Sequence, residues 1–377
     1  MIQVNVKALR GALAAIGTVV EKKATVPILT NVLIRTTPGQ MMLTATDLDL
    51  MVEQTIALED AGANSAEAFC VAADLIKSIA GKLSADVVAT IDRDDKNAIS
   101  IRCGRARFKL PTLPTDDFPL IALGDWDAQW EQPGSGLTSM IDSVRFAIST
   151  EETRYYLNGI YWHVPGGSEC QFAAATDGSR LARFHGDVPD GAEAMPGIIL
   201  PRKAVAALDA LIDAEGAGTV EVAVSRGKFR FAIGACVLTG KTIDGTFPDY
   251  TRVIPAANTM AAWFDPAALA EAVERVLTIS SDKTRLIAMD FTAETVTLRV
   301  VSPENGTASE DVLCEYDGTP LTIGFNGRFL LDVLAHLKGT DAEGTRARVL
   351  LADAAAPSLW QQSDDAARLY VLMPMRV

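Results

Sequence analysis

Apolar residues recur at steps of three and four in six stretches of this chain, and alternate with polar residues in much of what lies between. Leu9, Leu13, Ile16 and Val20 form the first helical stripe, Met140, Val144 and Ile148 a second, and Leu269, Val273 and Leu277 a third. Such steps place each set on one helical face. The three helices start near residues 6, 137 and 265, a spacing close to one ordinary domain. A second helix in each interval is predicted over Ala73 to Leu83, Pro201 to Asp213 and Asn326 to Lys338. Their stripes are Ile76, Ile79 and Leu83, then Val205, Leu208 and Ile212, then Leu330, Val333 and Leu337. Pro201 suits a first helical turn, and Asp74 and Asn326 suit capping positions. Stretches such as Ile99-Ser100-Ile101-Arg102-Cys103 and Val296-Thr297-Leu298-Arg299-Val300 alternate with period two and read as strands. Each interval is therefore helix, strands, helix, strands, an α+β unit on antiparallel sheet.

Two short words repeat with the same spacing. Ala45-Thr46-Asp47 returns as Ala175-Thr176-Asp177, 130 residues on (175 − 45), and Phe118-Pro119 returns as Phe247-Pro248, 129 residues on (247 − 118). One offset for both words points to a duplicated domain, and 377 residues leave room for a third copy. Boundaries are expected near Leu123–Gln132 and Pro255–Met260, giving domains 1–125, 126–256 and 257–377.

Composition narrows the function. Apolar residues at 49% and charged residues at 22% are ordinary for a globular protein. A net charge of −14 argues against an all-over basic coat for gripping nucleic acid, although not against a local basic lining. Five widely spaced cysteines contain no C-x-x-C pair, so no zinc knuckle or disulfide framework is indicated. The opening Met1-Ile2-Gln3-Val4 has no basic segment before an apolar one, and no 18-residue apolar run occurs; no signal peptide or membrane span is expected. A cytoplasmic protein with reduced thiols follows.

Catalytic motifs fail on inspection. Gly234 to Thr242 resembles a phosphate-binding loop but carries five residues, not four, before Gly240-Lys241, and it runs into a strand and turn rather than a helix. A nucleotide hydrolase built on this segment remains the alternative from the enzyme class. His163, His185 and His336 show no metal-ligand spacing, and the pairs Asp47/Asp49 and Asp116/Asp117 are explained by turn chemistry. No metal or other cofactor is expected. Basic residues sit on or beside the helices: Lys7, Arg10, Lys77, Lys82, Arg145, Arg202, Lys203, Arg328 and Lys338. Helices with this bias in an acidic chain would suit a cavity that tolerates a polyanion. A repeat scaffold that binds peptides but no DNA is the other alternative.

Several stretches resemble the bacterial sliding clamps, the beta subunit of DNA polymerase III. Thr25-Val26-Pro27-Ile28-Leu29-Thr30-Asn31-Val32-Leu33 and Leu43-Thr44-Ala45-Thr46-Asp47-Leu48 resemble the family's first domain. Arg154-Tyr155-Tyr156-Leu157-Asn158-Gly159 and Ala175-Thr176-Asp177-Gly178-Ser179-Arg180-Leu181-Ala182 resemble the second. The run Asp244 to Pro255 and the ending Tyr370-Val371-Leu372-Met373-Pro374-Met375-Arg376-Val377 complete the match across the whole chain. The resemblance implies a non-enzymatic processivity factor: a head-to-tail homodimer closed into a ring, helices inside and sheets outside, encircling double-stranded DNA without sequence preference. Implied at the dimer junction are Arg102, Arg105, Arg107 and Lys109 from domain one, against Leu277, Ile279 and the segment beginning at Glu304. That segment, Glu304 to Asp311, is less acidic than is usual there, so a weaker junction is expected. The implied DNA-facing set is Lys22, Lys23, Arg154, Tyr155, Tyr156 and Arg252. A groove for peptides of the polymerase alpha subunit, the ATP-driven clamp loader and repair proteins is implied at Leu157, Thr176, Gly178, Arg180, Leu181, Pro248, Arg252, Val253, Val371, Met373, Pro374, Met375 and Arg376. Ser179 stands where His is common in the family, which bears on peptide preference. Met373→Ala, or loss of Val371–Val377, is expected to weaken peptide binding while leaving the dimer intact.

Overall fold

The computed structural model describes residues 1–377 apart from 22, 60–65, 95–96, 123, 217, 281–284, 339–345 and 363–364. Six α-helices carry the predicted stripes: α1 Val6–Ile16, α2 Ala73–Lys82, α3 Gly134–Val144, α4 Arg202–Glu215, α5 Pro266–Leu277 and α6 Gly327–Leu337. Leu9, Leu13, Val205, Leu208, Leu269, Val273, Leu330 and Val333 are all buried, as their periodicity requires. Asn326 caps α6, its side chain accepting from the N–H groups of Arg328 and Phe329 at 3.0 and 3.4 Å.

Helix ends differ from the sequence reading. Asp74 lies inside the first turn of α2 and makes no cap, because Ala72 holds that position; its charge still suits the positive end of the helix. Pro201 precedes α4 instead of opening it, and closes a short strand. α1 stops before Val20, with Gly17 at its end; a Cβ there would lie 2.8 Å from the Lys77 ammonium and 3.0 Å from the Leu13 carbonyl. α3 stops before Ile148, since Val144 leaves helical geometry and a 3-10 turn, Arg145–Ala147, follows. Ile148 is buried all the same, so its burial signal was genuine while the helical reading was not.

Two compact units make up the chain. The first comprises 1–138 and 189–242, the second 139–188 and 243–377. Among the described residues, strands pair antiparallel in a twelve-stranded sheet within the first unit and, in the second, in an eight-strand run from Gly159–His163 to Glu315–Tyr316 plus a separate four-stranded sheet. α1, α2 and α4 pack in the first unit and α5 and α6 in the second, each against strands of its own unit. The segment Gly234 to Thr242, weighed as a phosphate loop, is a turn followed by the strand Cys236–Lys241, with the Lys241 ammonium 3.0 Å from Asp49.

The repeated Ala-Thr-Asp words lead into hairpin turns. Gln40–Thr46 turns into Leu50–Ala57, and Cys170–Thr176 turns into Arg180–Asp187. Each return strand is continued by a strand from later in the chain. Leu50–Ala57 pairs with Cys236–Lys241, placing Leu50 opposite Gly240, and Arg180–Asp187 pairs with Arg368–Leu372, placing Arg180 opposite Leu372. A third hairpin, Thr295–Ser302 into Gly306–Leu313, has the same form, yet its return strand lies at the edge of its sheet with no further partner among the described residues. A second edge is also open. Ala106–Leu113 holds the place in the first copy that Cys236–Lys241 and Arg368–Leu372 hold in the others, and it touches Ala68–Ala72 only through Thr112 and Leu113. Open edges invite pairing with another chain, and charge limits which chain can pair. The edge Ala106–Leu113 carries Arg107 and Lys109, with Arg105 in the turn before it, and the edge Gly306–Leu313 carries Glu310 and Asp311.

Gly240 shows how tight the first-unit junction is. A Cβ there would stand 2.5 Å from both Leu50 Cδ2 and Phe229 Cζ. Gly240→Ala is expected to destabilise the first unit by about 1–3 kcal/mol through overpacking. A thermal melt followed by circular dichroism checks this, and an unshifted midpoint would show that the contact relaxes freely.

Candidate functional site

In the second unit the hairpin turn Thr176–Arg180 is held almost wholly by its own side chains. Asp177 Oδ1 accepts from the N–H groups of Ser179 and Arg180 at 2.9 and 3.1 Å. Thr176 Oγ1 donates to the Arg180 carbonyl at 2.6 Å and accepts from Gly178 N–H at 3.1 Å. Gly178 has φ +90°, where a side chain is strained, and a Cβ there would meet Arg154 Nη1 at 2.7 Å. Glycine thus lets Arg154 lie across the turn.

Arg180 leaves this turn buried, its side chain 10% exposed. It bonds Asp177 at 3.0 Å and Asp332, and its guanidinium lies 4.3 Å from the Phe329 ring centroid and 5.3 Å from that of Phe146. Two carboxylates and two rings occupy it fully, so it acts as a rigid wall and not as a free cation. Arg154 is bound to Glu151, with Nε 2.8 Å from Oε2. That hydrogen bond holds the Glu151 carboxyl below its usual range and raises Arg154.

The chain end forms the facing wall. Met373 N–H donates to the Ser179 carbonyl at 2.9 Å, and Met375 N–H donates to the Gly324 carbonyl at 2.7 Å. Gly324 permits the second contact, because a Cβ there would stand 2.5 Å from the Met375 oxygen. Between these walls lies a cavity of about 280 Å³ lined by Arg154, Tyr156, Leu157, Thr176, Gly178, Arg180, Leu181, Pro248, Asp249, Tyr250, Val253, Val371 and Met373. Its apolar lining with a few polar groups suits a short stretch of side chains from another molecule. Behind Tyr250 stands an aromatic stack: its hydroxyl is 3.0 Å from His163 Nε2, His163 stacks on Tyr161 at 4.4 Å, and Tyr161 stacks on Phe247 at 5.0 Å. Burial pushes the His163 imidazole down to about 4 and the Tyr250 phenol up to about 12.

The structure brings together most of the expected groove residues and divides the rest. Pro374, Met375 and Arg376 line a neighbouring cavity of about 520 Å³ with Thr322, Gly324, Ala354, Ala355 and Val377. Arg252 stands outside both, its side chain 83% exposed and its Nε 2.9 Å from Asp249. Arg154 and Tyr156, expected to face DNA, line the apolar cavity, while Tyr155 is 53% exposed. Lys23 is exposed in the loop after α1, and Lys22 lies outside the described residues. Asp249 and Tyr250 were missed by sequence reasoning, although the repeated Phe247-Pro248 word ends one residue before them. Truncation at Val371 is a poorer test than expected, since Val371 and Leu372 are buried in a strand paired with Arg180–Asp187.

Some basic side chains on the helices have partners close by. Arg10 donates to the Ala80 and Gly81 carbonyls at 2.7 and 3.0 Å, closing the end of α2, and Lys203 bonds Glu21 and Asp47. Of the expected junction residues, Arg102 pairs with Asp92 and Lys109 with Asp94, while Arg105 and Arg107 are exposed at the edge Ala106–Leu113 and the turn before it. In the second unit Leu277 ends α5, and Asn305 donates to the Ile279 carbonyl at 3.1 Å, tying the exposed turn that holds Glu304 to the helix end.

The sequence matches three successive domain families of the DNA polymerase III beta subunit: the N-terminal domain over residues 1–122, the central domain over 132–249 and the C-terminal domain over 251–376. The chain belongs to the bacterial sliding clamp family. The beta sliding clamp of Caulobacter vibrioides is 41% identical over 375 residues, covering 98% of each chain, and that of Pseudomonas aeruginosa is 35% identical over 371, again covering 98% of each. Among solved structures, the sliding clamp of Bartonella birtlesii bound to griselimycin matches with a TM-score of 0.94 at 39% identity, covering 100% of this chain and 99% of that one. The Caulobacter crescentus clamp, with polyethylene glycol bound to a putative beta-motif tethering region, matches equally well, with a TM-score of 0.94, 39% identity and the same coverage. The DNA clamp fold, α+β with three repeated domains of paired helices on antiparallel sheet, is thereby established for this chain.

His163 gives the cavity's backing an acid sensitivity with a definite sign. Unfolded, an imidazole takes its proton near pH 6.5. Folded, burial delays protonation to about pH 4. The unfolded chain therefore binds more protons between these values, and stability falls as pH is lowered through that window, with no further loss below it. His163→Gln is expected to lose less of its melting temperature between pH 7 and pH 5 than the wild type. Equal losses in both proteins would remove His163 as a source of the effect.

Proposed function

We infer that this chain is a DNA sliding clamp, a processivity factor that holds the replicative polymerase on its template, and that its work is topological rather than chemical. The observation that carries the reading is the pair of open edges. Twice within the chain a hairpin's return strand is completed by the closing strand of the next copy, and once each partner is left over. Two chains joined head to tail supply the missing pairing at both ends, and twofold symmetry closes the assembly into a ring. Cationic Arg105, Arg107 and Lys109 would meet anionic Glu310 and Asp311, with Arg102, Leu277, Ile279 and Glu304 beside the junction. Glu310 is partly satisfied by Arg275, Nη2 to Oε1 at 2.6 Å, which lowers the charge available across the junction. The three domains divide near residues 125 and 256.

A closed ring supplies lifetime on DNA without tight phosphate contacts, which would pin the protein in place. Inner contacts can be few and water-mediated. Lys22, Lys23, Tyr155 and Arg252 are the DNA-facing candidates, with Arg154 and Tyr156 shared with the cavity. The chain's net charge of −14 discourages duplex from binding elsewhere. The cavity between Arg180 and Met373 is the docking groove for short peptides of the polymerase alpha subunit, the clamp loader and other replication and repair proteins. Its Met and Pro lining can repack around different sequences. The chain needs no active site or cofactor of its own, and it works in the cytoplasm, where a separate ATP-driven loader opens the ring.

Two outcomes test this reading. The purified protein, loaded on nicked circular DNA, is expected to co-elute with it and to be released when the circle is linearised; retention on the linear form would mean gripping instead of enclosure. Met373→Ala is expected to weaken a bound polymerase peptide roughly tenfold, the ~1.4 kcal/mol of a modest hot spot, without changing the dimer's mass in solution. Unchanged peptide affinity would take the groove away from this surface.

A further inference from the structure

The groove of the second unit has a copy in the first. The turn Thr46–Leu50 repeats the four bonds between side-chain oxygens and backbone of Thr176–Arg180: Asp47 Oδ1 accepts from Asp49 and Leu50 N–H at 2.9 and 2.6 Å, and Thr46 Oγ1 donates to the Leu50 carbonyl at 2.8 Å and accepts from Leu48 N–H at 3.1 Å. The facing wall is repeated as well. Lys241 N–H donates to the Asp49 carbonyl at 2.9 Å, just as Met373 N–H donates to that of Ser179. Pro119, from the repeated Phe118-Pro119 word, stands where Pro248 stands in the second unit. A cavity of about 470 Å³ opens between these elements, lined by Thr46, Leu48, Pro119, Leu120, Lys228 and Lys241 among others.

The two grooves differ in chemistry at the matching positions. Leu48 occupies the place of Gly178 and keeps its backbone conformation, with φ +81°, where a branched side chain is strained. Leu48 is nonetheless 45% exposed, and Leu120 48%. Neither strain nor exposure serves the core, and held strain of this kind marks sites that contact something else. Lys241 replaces the wall methionine, and Lys228 joins it on the rim. Among the described residues Lys241 is held by Asp49, in a pair exposed on both sides, and Lys228 lies over the Trp126 ring, its ammonium 4.9 Å from the centroid. Asp47, the turn's other carboxylate, is already bound by Lys203. The Lys241–Asp49 pair is a weak, exposed contact that an incoming carboxylate can displace.

We propose that this first-unit groove is a second peptide-docking site, taking a linear segment in which a leucine or phenylalanine lies beside acidic residues. The apolar side chain packs against Leu48, Pro119 and Leu120, and the carboxylates meet Lys228 and Lys241. The proposal extends the docking function assigned above to the second-unit groove, and it gives the clamp a way to hold an acidic partner segment while that groove is filled.

The test uses a fluorescein-labelled peptide, Glu-Asp-Leu-Phe-Asp-Glu, titrated by anisotropy against the intact dimer carrying Met373→Ala, up to about 1 mM protein, the range of a weak single-pocket contact. Saturable binding is expected, weakened at least tenfold by adding Lys228→Glu with Lys241→Glu, and weakened again by Leu48→Asp alone. Lys241 is exposed and Lys228 half-buried, and melting temperatures of the variants verify that the fold is kept; should the charge reversals unfold the protein, Lys228→Gln with Lys241→Gln serves instead. No saturable binding, or binding indifferent to the lysine changes, overturns the proposal. So does growth of the dimer into larger species that the same lysine changes abolish, because the occupant would then be a second copy of the chain. The polymerase peptide of the preceding test, on wild type and on Met373→Ala, reports the second-unit groove separately, so failure of one reading is not mistaken for failure of the other.

Discussion

An unpaired strand edge is the constraint on which this molecule turns. A row of exposed N–H and C=O groups gains free energy by finding a partner, and a protein must either cover it or use it. Here the chain covers two such edges from within, by laying Cys236–Lys241 on Leu50–Ala57 and Arg368–Leu372 on Arg180–Asp187. It leaves one edge of each kind open, cationic on Ala106–Leu113 and anionic on Gly306–Leu313. The same backbone pairing that builds each unit therefore also prescribes how two chains would join, with opposite charge excluding like-with-like assembly. Assembly needs no new kind of contact, only one more repetition of an existing one.

Duplication has a second consequence at the hairpin turns. Each turn is held by a threonine hydroxyl and an aspartate carboxylate, which satisfy the backbone locally and leave the remaining positions free to vary. In the second unit that freedom is spent on Gly178 and Arg180, making room for Arg154 and a buried wall paired by two carboxylates. In the first it is spent on Leu48 and Leu50, which put apolar side chains at the same places. One backbone solution thus presents two surfaces of different chemistry, apolar beside methionine in one unit and apolar beside lysine in the other.

Electrostatics in this chain work by subtraction. Arg10, Lys203, Arg180 and Arg154 are engaged by carbonyls or carboxylates within a few ångströms, so the cations left to meet a phosphate are fewer than a count of Lys and Arg suggests. Such scarcity suits a protein that must stay on DNA without stopping, because strong phosphate contacts would raise affinity at the expense of sliding. The buried His163–Tyr250 contact follows the opposite logic. Burial keeps the imidazole beside Tyr250 neutral across the neutral range.

By itself the sequence determined the helices, most strands, the threefold repeat and the turn chemistry, because these depend on periodicity and on side chains acting within a few residues. Leu9 and Leu13, Val205 and Leu208, and Leu330 and Val333 had to be buried, and Asp47 and Asp177 had to close turns, wherever the rest of the chain went. Helix ends were less legible: Ile148 kept its burial while leaving the helix, since burial is decided by neighbours that a local pattern does not contain. The groove was legible in part, its walls carried by short words resembling a known family, but Tyr250 and Asp249 entered it only once Phe247 was stacked on Tyr161. Only the tertiary structure decided that Arg154 and Tyr156 line an apolar cavity, that Arg180 is spoken for by Asp332 from 152 residues away, and that Leu48 stands in glycine's place. Each of these rests on a contact between segments far apart in the chain, and a linear pattern holds no record of distance in space.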